Sequence, residues 1–301
     1  MLDRTKMLIY KSLLQNNYLN CQAQENIMIQ CQDFIKLIEY YAPLSAAAAW
    51  DNSGWQVMGQ KQKIKRVAVS LDPSLAQIDA CLAFNADFIL CHHPLYFEPQ
   101  SLSQNNSYTQ TVRKLMQANV HLYSAHTSLD ANPKGPVRWL ANELALENIT
   151  TLEPNPTSHF KQNNEPQAKL PEYGFGYLGN LPTPLSKEVF FQKLKNLLPA
   201  GHWNVCGKVP QTFTKIACCP GSGSTMWAAA QKKGANILIT GDLKYHTALD
   251  AASAGFTILD VGHFCLEEEM MRRLALELAK KASGVEIKFL SSQDPIYNIT
   301  I

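Results

Sequence analysis

The chain has 301 residues, enough for one large domain or for two lobes with substantial hydrophobic cores. Hydrophobic residues make up 46% of it and charged residues 17%, which is typical of a globular protein, and the formal net charge is only +2. Because no dense run of lysine and arginine occurs, the sequence disfavours nucleic acid as a partner. No apolar stretch approaches about 18 residues, so a membrane span is also disfavoured.

The cysteines form neither a C-x-x-C pair nor a compact framework, and several lie in apolar runs. They are residues 21, 31, 81, 91, 206, 218, 219 and 265. Without a secretion signal, this pattern predicts reduced thiols and a cytoplasmic location.

The first 27 residues are rich in asparagine and glutamine and lack the apolar region of a signal peptide. We interpret residues 1–27 as an N-terminal extension. It is either a disordered arm or an artefact of a misassigned start codon, with Met28 as the true first residue, and we favour the artefact. Helical periodicity begins only near Gln30 and ends at Pro43.

Two strand–helix–strand segments can be superimposed without a gap. One starts at Val67 and ends at His92-His93, and the other starts at Ile216, 149 positions later, and ends at Gly241-Asp242. Asn85 and Gly234 occupy the same place in the two segments, where a helix C-terminus favours a left-handed residue. Each segment predicts a pair of parallel strands with a right-handed crossover.

The similarity continues into a short strand that delivers a histidine in each copy. His126 is followed four positions later by Asp130, and His263 is followed four positions later by Glu267. The offset is now 137, so the first copy carries 12 additional residues, which we place around 100–108. The pattern predicts an α/β fold of two pseudo-symmetric lobes with mixed sheets, comprising residues 28–150 and 151–301, and a site in the cleft between them.

Several further elements are predicted after the first copy. They are a polar loop over 153–172, a strand over 173–179, a helix over 186–198, a helix over 267–283 and a closing strand over 285–290.

The tandem histidines His92 and His93 end the apolar run Phe88-Ile-Leu-Cys. In open α/β sheets, ligands bind where strands end in this way. One buried histidine is more often a core residue, but two in tandem favour a metal or a catalytic site. Since Pro94 breaks the strand directly afterwards, the two rings could turn toward two metal ions.

The carboxylates Asp130 and Glu267 could neutralise such cations, and a carboxylate could bridge them. The alternative is ordinary capping of a turn or of a helix N-terminus. The four-residue spacing from His263 favours Glu267 over its neighbours, because positions i and i+4 share a helix face. His126 is either a ligand or a residue that orients one, and we favour the second.

Three other polar segments have both functional and structural interpretations. Asp242, Lys244 and His246 could face the cleft as acid, base or anion contacts, or Asp242 could simply cap a helix. The turn over 221–224 resembles a phosphate-binding loop, although a structural turn is favoured because no Walker lysine follows. The segment 50–54 is interpreted as a turn.

In combination these motifs resemble the Nif-three-like dinuclear metal family, also known as GTP cyclohydrolase 1 type 2 homologues. The resemblance covers residues 28–301. Its motifs are Trp50-Asp51-Asn52-x-Gly54, His92-His93-Pro94, His126-Thr127-x-x-Asp130, Gly241-Asp242-x-Lys244-Tyr245-His246 and Gly262-His263-x-x-x-Glu267.

The resemblance implies two α/β domains, a two-metal site and a homohexameric ring. The ligands it implies are His92, His93, Asp130, His263 and Glu267, with Glu267 bridging two divalent cations such as zinc, iron or manganese.

Two functional hypotheses follow. In the first, the protein is a metal-dependent hydrolase that acts on a nucleotide-like small molecule through a metal-activated water, with His126 or His246 as general acid or base. In the second, it is a non-catalytic ring that binds or delivers metal or serves as a scaffold. The sequence alone does not separate them.

Overall fold

The computed structural model describes residues 28–155, 173–198 and 203–297. The prediction about residues 1–27 lies outside the described residues, as does most of the predicted polar loop, from residue 156 onward.

Thirteen strands occur in the described residues. They are β1 (Ile29–Gln30), β2 (Gly54–Val57), β3 (Lys63–Ile64), β4 (Arg66–Ser70), β5 (Phe88–Cys91), β6 (His121–Ser124), β7 (Glu147–Pro154), β8 (Gly174–Ser186), β9 (Asn204–Cys206), β10 (Thr212–Cys218), β11 (Ile237–Thr240), β12 (Ile258–Asp260) and β13 (Glu286–Phe289).

Nine α-helices occur in the same part of the chain. They are α1 (Cys31–Tyr41), α2 (Leu75–Ala83), α3 (Ser107–Ala118), α4 (Thr127–Asp130), α5 (Trp139–Glu143), α6 (Lys187–Leu197), α7 (Trp227–Lys232), α8 (Tyr245–Ser253) and α9 (His263–Lys281).

The first large sheet has five strands in the order β13-β4-β5-β6-β2. Its strands β13, β4, β5 and β6 are parallel, and β2 is antiparallel at the edge. All residues of β5 and β6 are buried, as expected for parallel strands covered on both faces.

The second large sheet has six strands in the order β7-β8-β10-β11-β12-β9. Its centre, β10-β11-β12, is parallel, and antiparallel strands flank it on both sides. The chain therefore has a mixed α/β fold, as predicted.

The strand registers of the two sheets follow the predicted offset. Val67 pairs with Phe88 in the first sheet, and Ile216 pairs with Ile237, 149 positions later, in the second. The helix ends also agree, since Asn85 and Gly234 both have positive φ, at 57° and 77°. The two predicted strand–helix–strand units therefore have the same pairing geometry.

The last strand does not remain with the half of the chain that precedes it. β13 pairs in parallel with β4, so residues 286–289 complete the first sheet. The division of the chain at residue 150 remains a prediction, but the strand connectivity crosses it in both directions, because β7 extends from 147 to 154 within the second sheet.

One large hydrophobic core joins the facing sides of the two sheets with α1 and α9. Met270, Met271, Leu274 and Leu278 of α9 are fully buried in it. Each such side chain contributes about 1.5–3 kcal/mol of burial free energy. Two smaller cores lie on the other faces, one under α2 and α3 and one under α7 and α8. This packing fixes the start of α9 near the ends of the central strands.

The seven cysteines of the described residues are free thiols. Among the described helices, none has the length and apolar character needed to cross a bilayer.

Candidate metal centre

The candidate site lies where the central strands of the first sheet end and where α9 begins. His92 and His93 directly follow β5, and His126 and Asp130 lie just after β6, in and beside α4. The first two turns of α9 carry His263 and Glu267. The helix predicted from residue 267 thus begins four residues earlier, at His263, so that both side chains are held on one helical face.

Glu267 is at the centre of the site. Its Oε2 atom lies 2.8 Å from His263 Nε2 and 3.1 Å from His93 Nε2, and its Oε1 atom lies 3.6 Å from His92 Nε2. Asp130 Oδ1 lies 3.7 Å from the same His92 nitrogen. The structure therefore brings together all five predicted ligand side chains, although metal binding itself remains a prediction.

Each imidazole of this cluster is held from behind by a hydrogen bond of its other ring nitrogen. Nδ1 of His93 donates to Asp72 Oδ1 at 2.6 Å, and Nδ1 of His263 donates to Asp242 Oδ2 at 2.7 Å. Nδ1 of His92 donates to the carbonyl oxygen of Ala125 at 2.8 Å. Since these acceptors cannot donate, a neutral ring presents its Nε2 lone pair to the cluster, as in metal sites.

Three buried polar atoms of the cluster have no hydrogen-bond partner. They are His92 Nε2, Asp130 Oδ1 and Glu267 Oε2. Two ring nitrogens lie close to Glu267 Oε2, but neither approaches it with hydrogen-bond geometry. An unsatisfied buried polar atom costs about 1–3 kcal/mol, so three in one place need an explanation.

The donor atoms of the cluster fit a divalent cation. His93, His263 and Glu267 can each direct one donor atom to a common position, with these atoms within 4.8 Å of one another. A second group of the same kind consists of His92, His93 and His126. Imidazole nitrogen together with carboxylate oxygen suits zinc, iron and manganese.

The charges of the cluster shift the pKa values of its members. Burial lowers the pKa of His93, but its contacts with Asp72 and Glu267 outweigh burial and raise that pKa to about 10. Burial also lowers the pKa of His263, but its contacts with Glu267 and Asp242 outweigh burial and raise that pKa to about 9. Burial raises the pKa of Asp130. Despite its own burial, Glu267 has a pKa well below the usual value, because His92, His263 and His93 surround it.

His126 is held by Asp51 at the edge of the cluster. Its Nδ1 donates to Asp51 Oδ1 at 2.7 Å, and Asp51 also accepts hydrogen bonds from Ser53 and Thr127. Although burial opposes it, hydrogen bonding to His126 lowers the pKa of Asp51. The position of His126 fits either predicted role, so its function as acid or base, or as a ligand, remains a prediction.

The segment after β11 divides between the site and the surface. Asp242 contacts His263, whereas His246 is exposed on the first turn of α8 and packs against the ring of Tyr245. Within the described residues, His246 makes no hydrogen bond or ion pair with the cluster. Its predicted catalytic role remains a prediction without a contact that supports it.

The glycine-rich turn after β10 gives the cluster its space. Gly221 has a φ of 65°, and a Cβ there would collide with Glu267 Oε1 and lie 3.5 Å from His263 Nε2. In the same turn, Ser222 Oγ donates to Asp242 Oδ2 at 2.8 Å. The turn therefore packs directly against the site, and its glycine allows backbone to approach the ligand side chains.

Asp51 and Asp72 are the residues that sequence analysis missed. Asp51 was interpreted only as part of a turn, and Asp72 received no role, yet both orient a histidine of the site. Asp51 lies in the Trp-Asp-Asn-x-Gly motif, so the motif was the available signal. Asp72 is 21 residues from His93, and no spacing rule connects them.

A groove of about 810 Å³ passes His93 and Asp72 at the side of the cluster. Its other walls include Tyr108 and Thr111 of α3 and the segment 291–293. The groove gives the site room for a small molecule.

The chain matches a known protein family. The profile of the family described as Duf34/NIF3 (NGG1p interacting factor 3) matches residues 29–295. A protein of Clostridium perfringens named GTP cyclohydrolase 1 type 2 homolog is 27% identical over 267 residues, which cover 88% of this chain and 97% of the relative. A protein of the same name from Lactococcus lactis is 29% identical and covers 90% of this chain over its full length.

Solved structures have the same fold. A Bacillus cereus protein related to NIF3 superimposes with a TM-score of 0.78 at 22% identity, covering 91% of this chain and 100% of its own. Reduced HcgD from Methanocaldococcus jannaschii superimposes with a TM-score of 0.73 at 26% identity, covering 89% of this chain and 99% of its own.

Proposed function

Because the chain belongs to the Duf34/NIF3 family, we propose that it holds two divalent cations and hydrolyses a nucleotide-like small molecule. The observation that carries the proposal is the group of buried, unpaired donor atoms around Glu267. The name shared by the relatives, GTP cyclohydrolase 1 type 2 homolog, suggests the substrate class. The groove beside His93 leaves that side of the cluster open to a small molecule.

His92, His93, Asp130, His263 and Glu267 would hold the cations, and Glu267 would be the carboxylate shared between them. Glu267 is suited to that role because both of its oxygens face ring nitrogens, Oε1 toward His92 and Oε2 toward His93 and His263. When bound, a pair of divalent cations polarises the substrate and lowers the pKa of water toward neutrality.

The surrounding residues prepare the site for this chemistry. Asp72, Asp242 and the Ala125 carbonyl hold the three ligand imidazoles in one orientation. Asp51 fixes a proton on Nδ1 of His126, so that the opposite nitrogen of this ring can accept or donate a proton beside the cluster. We assign His126 as the general acid or base, and His246 is the second candidate for that role.

The identity of the metals and the assembly are further parts of the proposal. The donor set favours zinc, iron or manganese, and elemental analysis of protein purified without added metal would give both the species and the number of ions per chain. The homohexameric ring implied by the sequence resemblance would be tested by light scattering coupled to size-exclusion chromatography.

The decisive experiment compares metal content and turnover in the same preparations. Protein loaded with zinc, manganese or iron is incubated with a panel of nucleotides, and product formation is measured beside Glu267→Gln. We expect two ions per chain and turnover in the parent protein. Since Glu267→Gln removes the central negative charge, we expect it to lose at least one ion and all turnover.

Glu277→Gln is the matched control, because it changes the same residue type on the same helix at a surface pair with Lys280. It should retain both metal and turnover. Two bound ions without turnover of any nucleotide would contradict the hydrolase and favour the alternative of a metal-binding, metal-delivery or scaffold protein. Retention of both ions by Glu267→Gln would contradict the metal site itself.

A further inference from the structure

We propose that Trp50 and Phe97 form an aromatic platform that binds a planar heteroaromatic ring of the substrate beside the metal centre. This inference rests on the proposed function, because it assigns the substrate's ring to one place and its reacting group to another. The pair Trp50 and Phe97 is called the aromatic platform below.

The platform is an exposed apolar surface next to His126, at the edge of the polar cluster. Trp50 is 66% exposed and Phe97 is 57% exposed. They lie 47 residues apart in sequence, yet their ring centroids are 6.1 Å apart. Single exposed apolar residues are common, but two large aromatic rings in contact indicate an interaction site, and their position at the edge of a polar cluster favours a ligand.

The platform lies one ring away from the metal cluster. The centroid of His126 is 6.0 Å from that of Trp50 and 5.8 Å from that of Phe97. The same imidazole is 5.1 Å from His92 and 5.7 Å from His93, measured between ring centroids. A ring stacked on the platform would therefore lie within reach of His126, and His126 in turn lies next to the proposed ligands His92 and His93.

The turn that carries Trp50 also holds the loop that carries Phe97. Asn52 donates its side-chain Nδ2 to the carbonyl oxygen of Tyr96 at 2.7 Å, and the Leu95 amide donates to Gln56 Oε1 at 3.0 Å. Gln56 in turn donates to the carbonyl oxygen of Asn52 at 2.7 Å. The two rings are thus placed side by side before a ligand arrives, which reduces the entropic cost of binding.

The motif Trp50-Asp51-Asn52 consequently has three separate contacts with one site. Trp50 presents a ring, Asp51 fixes His126, and Asn52 anchors the loop of Phe97. The ligand class follows from the surface: aromatic faces stack on any planar ring, and stacking tolerates different bases.

The test separates ring binding from phosphate binding with three probes. Zinc-loaded protein is titrated with guanosine monophosphate, uridine monophosphate and ribose 5-phosphate, which has the same sugar phosphate without a base. Binding is followed by tryptophan fluorescence and by calorimetry, so the readout does not depend on turnover. We expect affinity to decrease from the purine to the pyrimidine to the sugar phosphate.

Trp50→Ala should weaken binding of guanosine monophosphate by about 5- to 150-fold. Binding of ribose 5-phosphate should change by less than about twofold. Phe97→Ala should act in the same direction, and Trp50→Phe should restore most of the affinity. Tyr297→Ala, which removes another exposed aromatic ring outside the platform, should change nothing.

The platform is overturned if Trp50→Ala leaves nucleotide binding unchanged or weakens ribose 5-phosphate equally. If the assembly formed by Trp50→Ala has a lower molecular mass while nucleotide affinity is unchanged, the platform is also overturned. The two rings would then be assigned to a contact between copies of the chain. Base-dependent binding that Trp50→Ala abolishes, in a protein without turnover, would support the platform while contradicting the hydrolase.

Discussion

The two strand–helix–strand units have the same strand pairing but contribute differently to the candidate site. β4-α2-β5 and β10-α7-β11 share their strand pairing at an offset of 149 residues. At the end of the first unit stand His92 and His93, and at the equivalent positions of the second stand Gly241 and Asp242. One unit therefore supplies imidazoles to the cluster, whereas the other supplies space and an orienting carboxylate.

The space is as necessary as the ligands. A Cβ at Gly241 would lie 2.5 Å from the backbone nitrogen of His263, so a histidine at that position would displace the start of α9. Asp242 instead accepts a hydrogen bond from Nδ1 of His263. A symmetric pair of units would crowd the centre, and the asymmetry is what allows α9 to insert Glu267 among the imidazoles.

Substitution at the equivalent positions 93 and 242 should give the largest difference. His93→Ala removes a proposed ligand, and we expect metal affinity to fall by more than about 100-fold, beyond the range typical of residues that only orient a ligand. Asp242→Asn should cost about 10–100-fold, because His263 remains but loses its fixed orientation. Competition with a chelator of known affinity would measure both.

Asp79→Asn serves as the control, since Asp79 is an exposed residue of α2 that pairs with Lys114. It should leave metal affinity unchanged. Equal losses for His93→Ala and Asp242→Asn would remove the distinction between the two units.

A change of pH should alter metal affinity by a smaller factor than these substitutions. In the metal-free protein, the pKa is about 10 for His93 and about 9 for His263, both above the unfolded value of about 6.5. These protons stabilise the metal-free fold fully below about pH 6.5, and that stabilisation is lost as pH rises through about 9 to 10. Metal must displace them, so its apparent affinity should rise with pH, by about tenfold per unit for each proton released.

Calorimetry in buffers of different ionisation enthalpy would count the released protons. Histidine resonances of metal-free protein should show both rings titrating above the unfolded value of about 6.5. Metal affinity that is constant between pH 6 and pH 9 would contradict this expectation.

The smallest effect concerns the matched helix ends at Asn85 and Gly234. Both have positive φ, and a Cβ at Gly234 would meet no atom within 4 Å, so an alanine there is opposed by the backbone conformation alone. Asn85→Ala and Gly234→Ala should each lower the free energy of unfolding by about 1 kcal/mol. Asn85→Gly should stay within about 0.5 kcal/mol of the parent. Urea unfolding of metal-free protein measures all three, and unequal alanine penalties would show that the two turns differ.

Much of the fold was predictable because its signals are local. The helix predicted over 186–198 is observed at Lys187–Leu197, and the strand predicted over 285–290 is observed at Glu286–Phe289. Local pattern does not specify the partner of a strand, however. The pairing of β13 with β4 joins segments 220 residues apart (Arg66 with Glu286). The periodicity of hydrophobic residues in the sequence does not indicate this pairing.

The candidate site divides in the same way. The tandem histidines and the His-x-x-x-acid pairs are visible in the sequence, because neighbouring ligands leave a short motif. Asp72 is not visible, since its link to His93 exists only after β4 and β5 pair and bring the two loops together. The exposure of Trp50 is likewise a tertiary property, because the motif that contains it indicates only a turn.

The return of β13 to β4 has a consequence for biosynthesis. Until residue 289 has left the ribosome, β4 lacks its outer neighbour. The backbone amides and carbonyls along that edge of β4 can then pair with other chains. The first sheet therefore cannot mature while the second half of the polypeptide is still being translated. The need for chaperones should be greatest in that interval, and deletion of β13 would leave an unpaired, aggregation-prone edge on the first sheet.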